Sequence, residues 1–95
     1  MTKTIILDFL SEHKIQIQEK FGIQKIGLFG SYAKNEAREN SDIDIAILSN
    51  KKDFFVREDL KNYLQDSLKV SVDVGYLDSF REFYRKKIEQ EIIYV

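Results

Sequence analysis

The sequence predicts an α/β (α+β) fold: a small mixed β-sheet of about three to four strands flanked by helices, in the order α-β-α-β-α-β-α. Three observations predict it. Short β-branched or alternating segments at residues 24–29, 43–48 and 70–75 are separated by stretches with helical apolar spacing. Proline is absent and the four glycines are scattered, so no linker divides the chain. A length of 95 residues suits one domain, expected to span residues 1–95.

Each element has a local reason. Ile6, Leu10, His13, Ile17 and Phe21 recur every three or four residues, which predicts one helix over residues 4–20, with Gly22 as its stop. Residues 24–29 read as a strand, followed by the turn Gly30-Ser31 and the helix-friendly Tyr32-Ala33-Lys34. The β-branched run 43–48 is a second strand, closed by Ser49-Asn50. Asp53 caps a helix over 54–68 whose apolar face is Val56, Leu60, Tyr63, Leu64 and Leu68. Residues 70–75 alternate with period two and form a third strand. Ser79-Phe80-Arg81-Glu82 matches a capping box and opens a last helix with Phe83, Tyr84 and Ile88 turned inward. The closing residues 92–95 suit either the end of that helix or a short strand. Tyr32, Phe54, Phe55 and Tyr94 are expected in the core, and His13 packed or half-buried on its apolar stripe.

Composition excludes several classes. Charged residues make up 33% and hydrophobic residues 43%, a globular mixture. Sixteen acids against fifteen Lys and Arg leave a net charge of −1, which argues against direct nucleic-acid binding as the main activity. The cluster Arg81, Arg85, Lys86 and Lys87 reads as a solvated helix face. Without cysteine there is no disulfide frame and no thiolate zinc site; with His13 as the one histidine, no two-histidine metal site forms within the chain. Apolar runs reach about four residues, far below the ~20 of a membrane helix. The first residues lack the apolar core of a signal peptide, so a cytoplasmic protein is expected.

Three acids carry the chemistry. Asp42 and Asp44 stand two apart at the start of the second strand, and alternate residues of a strand share a face. Ile43, Ile45 and Ile47 then form the buried face. Asp73 interrupts the apolar third strand between Val72 and Val74. If the two strands are neighbours, Asp73 can face the same side as Asp44, where the acids would repel one another unless a divalent cation neutralised them. Read singly, Asp42 suits a turn cap, and Asp44 and Asp73 suit solvated positions. Gly30-Ser31, between a strand and a helix, offers backbone N–H groups and a hydroxyl to an anion. No Walker A pattern or dinucleotide fingerprint occurs, so any phosphate site is built differently.

The block Gly30-Ser31, a ten-residue spacer, then Asp42-Ile43-Asp44, with Asp73 on a later strand, resembles the signature of the DNA polymerase β-like nucleotidyltransferase superfamily. The run from Ser41 to Ala46, the short length and the closing Ile93-Tyr94-Val95 resemble its minimal nucleotidyltransferases, the MNT antitoxins encoded beside HEPN-domain ribonuclease toxins. The family commonly has Arg-Gly where this chain has Lys34-Asn35. Lys keeps the charge but loses the bidentate fork, and Asn tolerates the left-handed backbone in place of Gly.

The resemblance implies a polymerase β-like fold and a two-metal transfer of AMP from ATP to a hydroxyl. Asp42 and Asp44 would hold both Mg²⁺ ions, and Asp73 would bind the metal at the attacking hydroxyl and take its proton. Gly30 and Ser31 would hold the triphosphate, with Lys34 and Arg38 as further phosphate contacts. The implied acceptor is a tyrosine of a HEPN-domain toxin in a hetero-oligomer, which makes the chain an antitoxin. Two alternatives stay open: an antitoxin that neutralises its partner by binding alone, and a nucleotidyltransferase subunit acting on a small molecule or RNA end.

Overall fold

Two helices open the chain in the computed structural model, which describes residues 1–95. Helix α1 (Lys3–Glu12) is capped by Thr2, whose Oγ1 accepts from the Ile5 N–H at 3.2 Å, and α2 (Lys14–Phe21) ends at Gly22. The spacing predicts one continuous helix here; the structure breaks it at His13. There the backbone N–H returns to the Phe9 carbonyl at 3.1 Å, Nδ1 lies 2.9 Å from the same oxygen, and the ring stacks on Phe9 at 4.1 Å. The break preserves the apolar register: Ile6, Leu10, Ile17 and Phe21 are buried, and His13 is half-buried.

Strand β1 (Lys25–Phe29) runs into the single turn α3 (Gly30–Ala33). Strand β2 (Ile43–Leu48) and helix α4 (Phe54–Leu68) fall where the sequence predicts. Asp53 Oδ1 caps α4 by accepting from the N–H groups of Phe55 at 2.8 Å and Val56 at 3.2 Å. Strand β3 (Val72–Tyr76) begins two residues later than its alternation suggests. Lys69 ends α4 in the left-handed region at φ 59°. The ladder then opens where Ile43 N–H meets the Ser71 carbonyl at 2.9 Å and Val72 N–H meets Gln65 Oε1 at 3.0 Å.

A one-turn 3₁₀ helix (Leu77–Ser79) precedes α5 (Glu82–Glu91) and the two-residue β4 (Ile93–Tyr94). The expected capping box does not form. Ser79 belongs to the 3₁₀ turn, and Arg81 at the cap position makes no side-chain cap bond. Phe83 and Tyr84, expected inside, are 82% and 61% exposed. Helix α5 meets the sheet through its C-terminal half, where Ile88 is buried, so its first turn projects into solvent.

Two more aromatic expectations are corrected: Phe54 and Phe55 are 58% and 75% exposed, packed edge-to-face on each other rather than in the core. They precede the buried stripe Leu60, Leu64 and Leu68 by a full turn. Tyr94 is also exposed, because strand alternation turns Ile93 toward the core instead, where it is partly buried. Tyr32 is buried.

The sheet order is β3-β2-β1-β4. Strand β1 pairs antiparallel with β2 and β4, and β2 pairs parallel with β3, so the sheet is mixed. One face carries Ile26, Leu28, Ile43, Ile45, Ile47, Val72 and Tyr76 into the main core with α1, α2 and α4. The other is covered in part by a smaller cluster of Ala46, Leu77 and Ile88, flanked by Phe29, Phe80 and Ile92. No helix is long and apolar enough to cross a membrane.

Candidate active site

Strand pairing decides where the acids point. In the parallel register Ile43 faces Val72, Asp44 faces Asp73 and Ala46 faces Gly75. Neighbouring strands lie about 4.8 Å apart and paired residues share a face, so Asp44 and Asp73 leave the sheet side by side. That face is the thinly covered one. Asp44 is half-buried and Asp73 exposed, whereas Ile43, Ile45 and Ile47 on the other face are buried. Asp42 is exposed just before β2, at the end of a turn in which the Arg38 N–H donates to Ser41 Oγ at 2.8 Å and the Ser41 N–H to the Arg38 carbonyl at 3.0 Å.

The Gly30-Ser31 turn abuts Asp44. Phe29, the last residue of β1, pairs with Asp44 in the antiparallel register. Gly30 has φ +76°, and a Cβ placed there would lie 2.9 Å from Asp44 Cγ. Backbone conformation and space both call for glycine. Asn35 sits at φ 58°, the left-handed conformation for which Asn substitutes best. Gly30 N–H donates to Glu91 Oε1 at 3.1 Å, and Lys34 Nζ lies 3.7 Å from Glu91 Oε2 and 3.7 Å from Glu36 Oε2.

Negative charge accumulates here. Burial pushes the Asp44 carboxyl up from 3.8 to about 6, with further upward pushes from Asp73, Asp42 and Glu91. A cleft of about 400 Å³ opens beside it, lined by Phe29, Asp44, Arg57, Asp73, Gly75 and Phe80. Phe80 lies edge-on to Phe29 at 5.9 Å and packs closely over Gly75, where a Cβ would come within 2.6 Å of its ring. Arg57 of α4 was not singled out by sequence spacing. Its guanidinium sits 5.0 Å from the Phe54 ring centre, and its buried Nε has no hydrogen-bond partner. Glu91 likewise carries no sequence signal, since 61 residues separate it from Gly30. Arg38 lines a different depression, of about 650 Å³, with Tyr32, Ala37 and Val70.

The donor chemistry fits a hard divalent cation: carboxylate oxygens on one face, one of them an acid whose pKa is raised first by burial and further by its acidic neighbours. No three of these acids close into a complete metal cage by themselves. Such a cation would complete its shell with water and phosphate oxygens, as magnesium ordinarily does.

A mixed sheet that sets paired acids beside a Gly-Ser turn has the layout of a nucleotidyltransferase. The family model described as "Nucleotidyltransferase domain" matches residues 10–95. Protein adenylyltransferase MntA of Thermococcus cleftensis is 33% identical over 96 residues, covering 100% of this chain and 97% of that protein. A candidate protein adenylyltransferase of Methanocaldococcus jannaschii is 40% identical over 96 residues, covering 99% and 98%. Among solved structures, a toxin–antitoxin with AMP-PNP superposes with a TM-score of 0.74 at 29% identity, over 87% of this chain and 69% of that one. A tri-AMPylated Shewanella oneidensis HEPN toxin in complex with MNT antitoxin gives 0.68 at 26% identity, over 92% and 69%. The chain belongs to the nucleotidyltransferase domain family, among its minimal nucleotidyltransferases, and is an enzyme of that class.

Proposed function

We propose that residues 1–95 act as a single minimal nucleotidyltransferase domain that transfers AMP from ATP to a tyrosine hydroxyl of a HEPN-domain toxin, silencing it in the cytoplasm. The observation that carries this reading is the side-by-side register of Asp44 and Asp73 next to the Gly30 turn. Relatives along the full chain are named for protein adenylylation, and structural neighbours pair an MNT antitoxin with a HEPN toxin or carry AMP-PNP.

Asp42 and Asp44 would hold two Mg²⁺ ions, and Asp73 would share the one nearer the acceptor. Bound Mg²⁺ supplies charge neutralisation between acids and triphosphate, and it acidifies the attacking hydroxyl. The backbone and hydroxyl of Gly30-Ser31 would orient the triphosphate, with Lys34 as a further cation for it; Arg38, which lines a separate depression, would meet it only from that side. Asp73 takes the proton as the hydroxyl oxygen bonds to the α-phosphorus. The bond from that phosphorus to the bridging oxygen breaks, and pyrophosphate leaves.

Incubation with Mg²⁺, α-labelled ATP and the product of the neighbouring gene tests the reading. Label on a partner tyrosine, abolished by Asp42→Ala with Asp44→Ala, is expected; absence of transfer, or equal transfer by the double variant, would overturn it. The exposed pair Phe54 and Phe55 favours a second reading, in which binding alone neutralises the partner. A variant lacking all three aspartates that still protects cells would select it.

A further inference from the structure

We propose that Glu91 sets nucleotide affinity by occupying the donors that the triphosphate uses and releasing them when nucleotide binds. This rests on the reading of Gly30-Ser31 as the phosphate cradle.

Glu91 reaches the cradle from the last residue of α5, which packs on the same sheet face as Asp44. Its side chain is only 17% exposed, and its carboxylate takes two donors, the Gly30 N–H at 3.1 Å through Oε1 and the Lys34 ammonium at 3.7 Å through Oε2. Those are a backbone donor and a cation assigned above to phosphate. A carboxylate and a phosphate oxygen ask the same of both groups: a negative acceptor at hydrogen-bond or ion-pair range. The two cannot occupy the same N–H together.

Electrostatics also sets Glu91 against a static structural role. It stands close enough to add to the negative field on Asp44, so three neighbours of like sign surround that acid. A neutral glutamine would bond Gly30 without that repulsion. The carboxylate instead keeps the cradle filled while no nucleotide is present, and its pairing with Lys34 at 3.7 Å is loose enough to exchange. Arriving phosphate with its cation offers Lys34 and Gly30 a partner of higher charge.

The test is titration of the ¹⁵N-labelled full chain with AMP-PNP and Mg²⁺, read at the Gly30 amide. Glu91→Gln is expected to tighten AMP-PNP binding about 1.5-fold to fivefold, the range of a weak ion pair. Wild type and variant should differ at Gly30 when free and converge when saturated, because nucleotide replaces Glu91 in both. Equal or weaker binding by the variant, or Gly30 amides that stay apart at saturation, would overturn the proposal. Glu91→Asp, one methylene shorter but still charged, should tighten binding less than Glu91→Gln; if Glu91→Gln does not fold, tightening by Glu91→Asp carries the test and its absence defeats it. Wild type that binds no AMP-PNP would overturn the nucleotide reading itself and this inference with it.

Discussion

Asp44 of β2 and Asp73 of β3 are direct partners in a parallel ladder, so two like charges sit one strand spacing apart on one face. With Asp42 and Glu91 nearby, the half-buried Asp44 holds its proton up to about pH 6.

That proton has a consequence for stability. The folded state raises the pKa from 3.8 to about 6, so protonation favours folding. The contribution is fully present below pH 3.8 and lost as pH rises through 6. Asp44→Asn should therefore be more stable than wild type at pH 7 by about 1 kcal/mol, after discounting for exposure, and no different at pH ~3. Thermal melts in EDTA across that range check it, with a shift of ~4–8 °C at neutral pH. A destabilised variant at pH 7 would contradict the charge argument.

Mg²⁺ should act unequally on the two proteins. Millimolar Mg²⁺ is expected to raise the wild-type melting temperature at pH 7 by relieving the repulsion, and to raise that of Asp44→Asn much less. Equal shifts would mean that the ion binds elsewhere.

Gly30→Ala should cost about 1–3 kcal/mol, since alanine at φ +76° is strained and its Cβ collides with the Asp44 carboxylate. Urea unfolding measures the loss. AMP transfer should fall further than stability alone explains, because the same collision displaces Asp44.

Tyr76→Phe tests how the start of α4 is fixed. The Tyr76 hydroxyl accepts from the Asp53 N–H and donates to the Asp53 carbonyl, both at 2.9 Å. Losing both should cost about 1–2 kcal/mol. A change under about 0.3 kcal/mol would show that water replaces the hydroxyl.

Core and surface truncations should separate cleanly. Leu64→Ala, at a fully buried position, should cost about 2–5 kcal/mol. Phe55→Ser, at a position 75% exposed, should stay within ~0.5 kcal/mol. Parallel chemical denaturation curves give both numbers.

How far the sequence carried depended on whether the signal was local. Strand β2 and helix α4 were readable because β-branched alternation and an Asp cap act within a few residues. The break at His13 was invisible because the apolar spacing continues through it while one side chain turns back to Phe9. Phe83 and Tyr84 were misread because periodicity reports a face, whereas burial also needs something for that face to meet. In the site, Asp42 and Asp44 are visible as a spaced pair, but the alignment of Asp73 depends on strand register. Glu91 and Arg57 reach the site only through tertiary packing between distant segments.

Strand β3 is the outermost strand of its sheet. Asp73 therefore stands at a margin with no further strand beyond it, and the flank is unroofed. A bulky folded substrate can draw alongside and present a surface side chain laterally, without a hinged lid to open first.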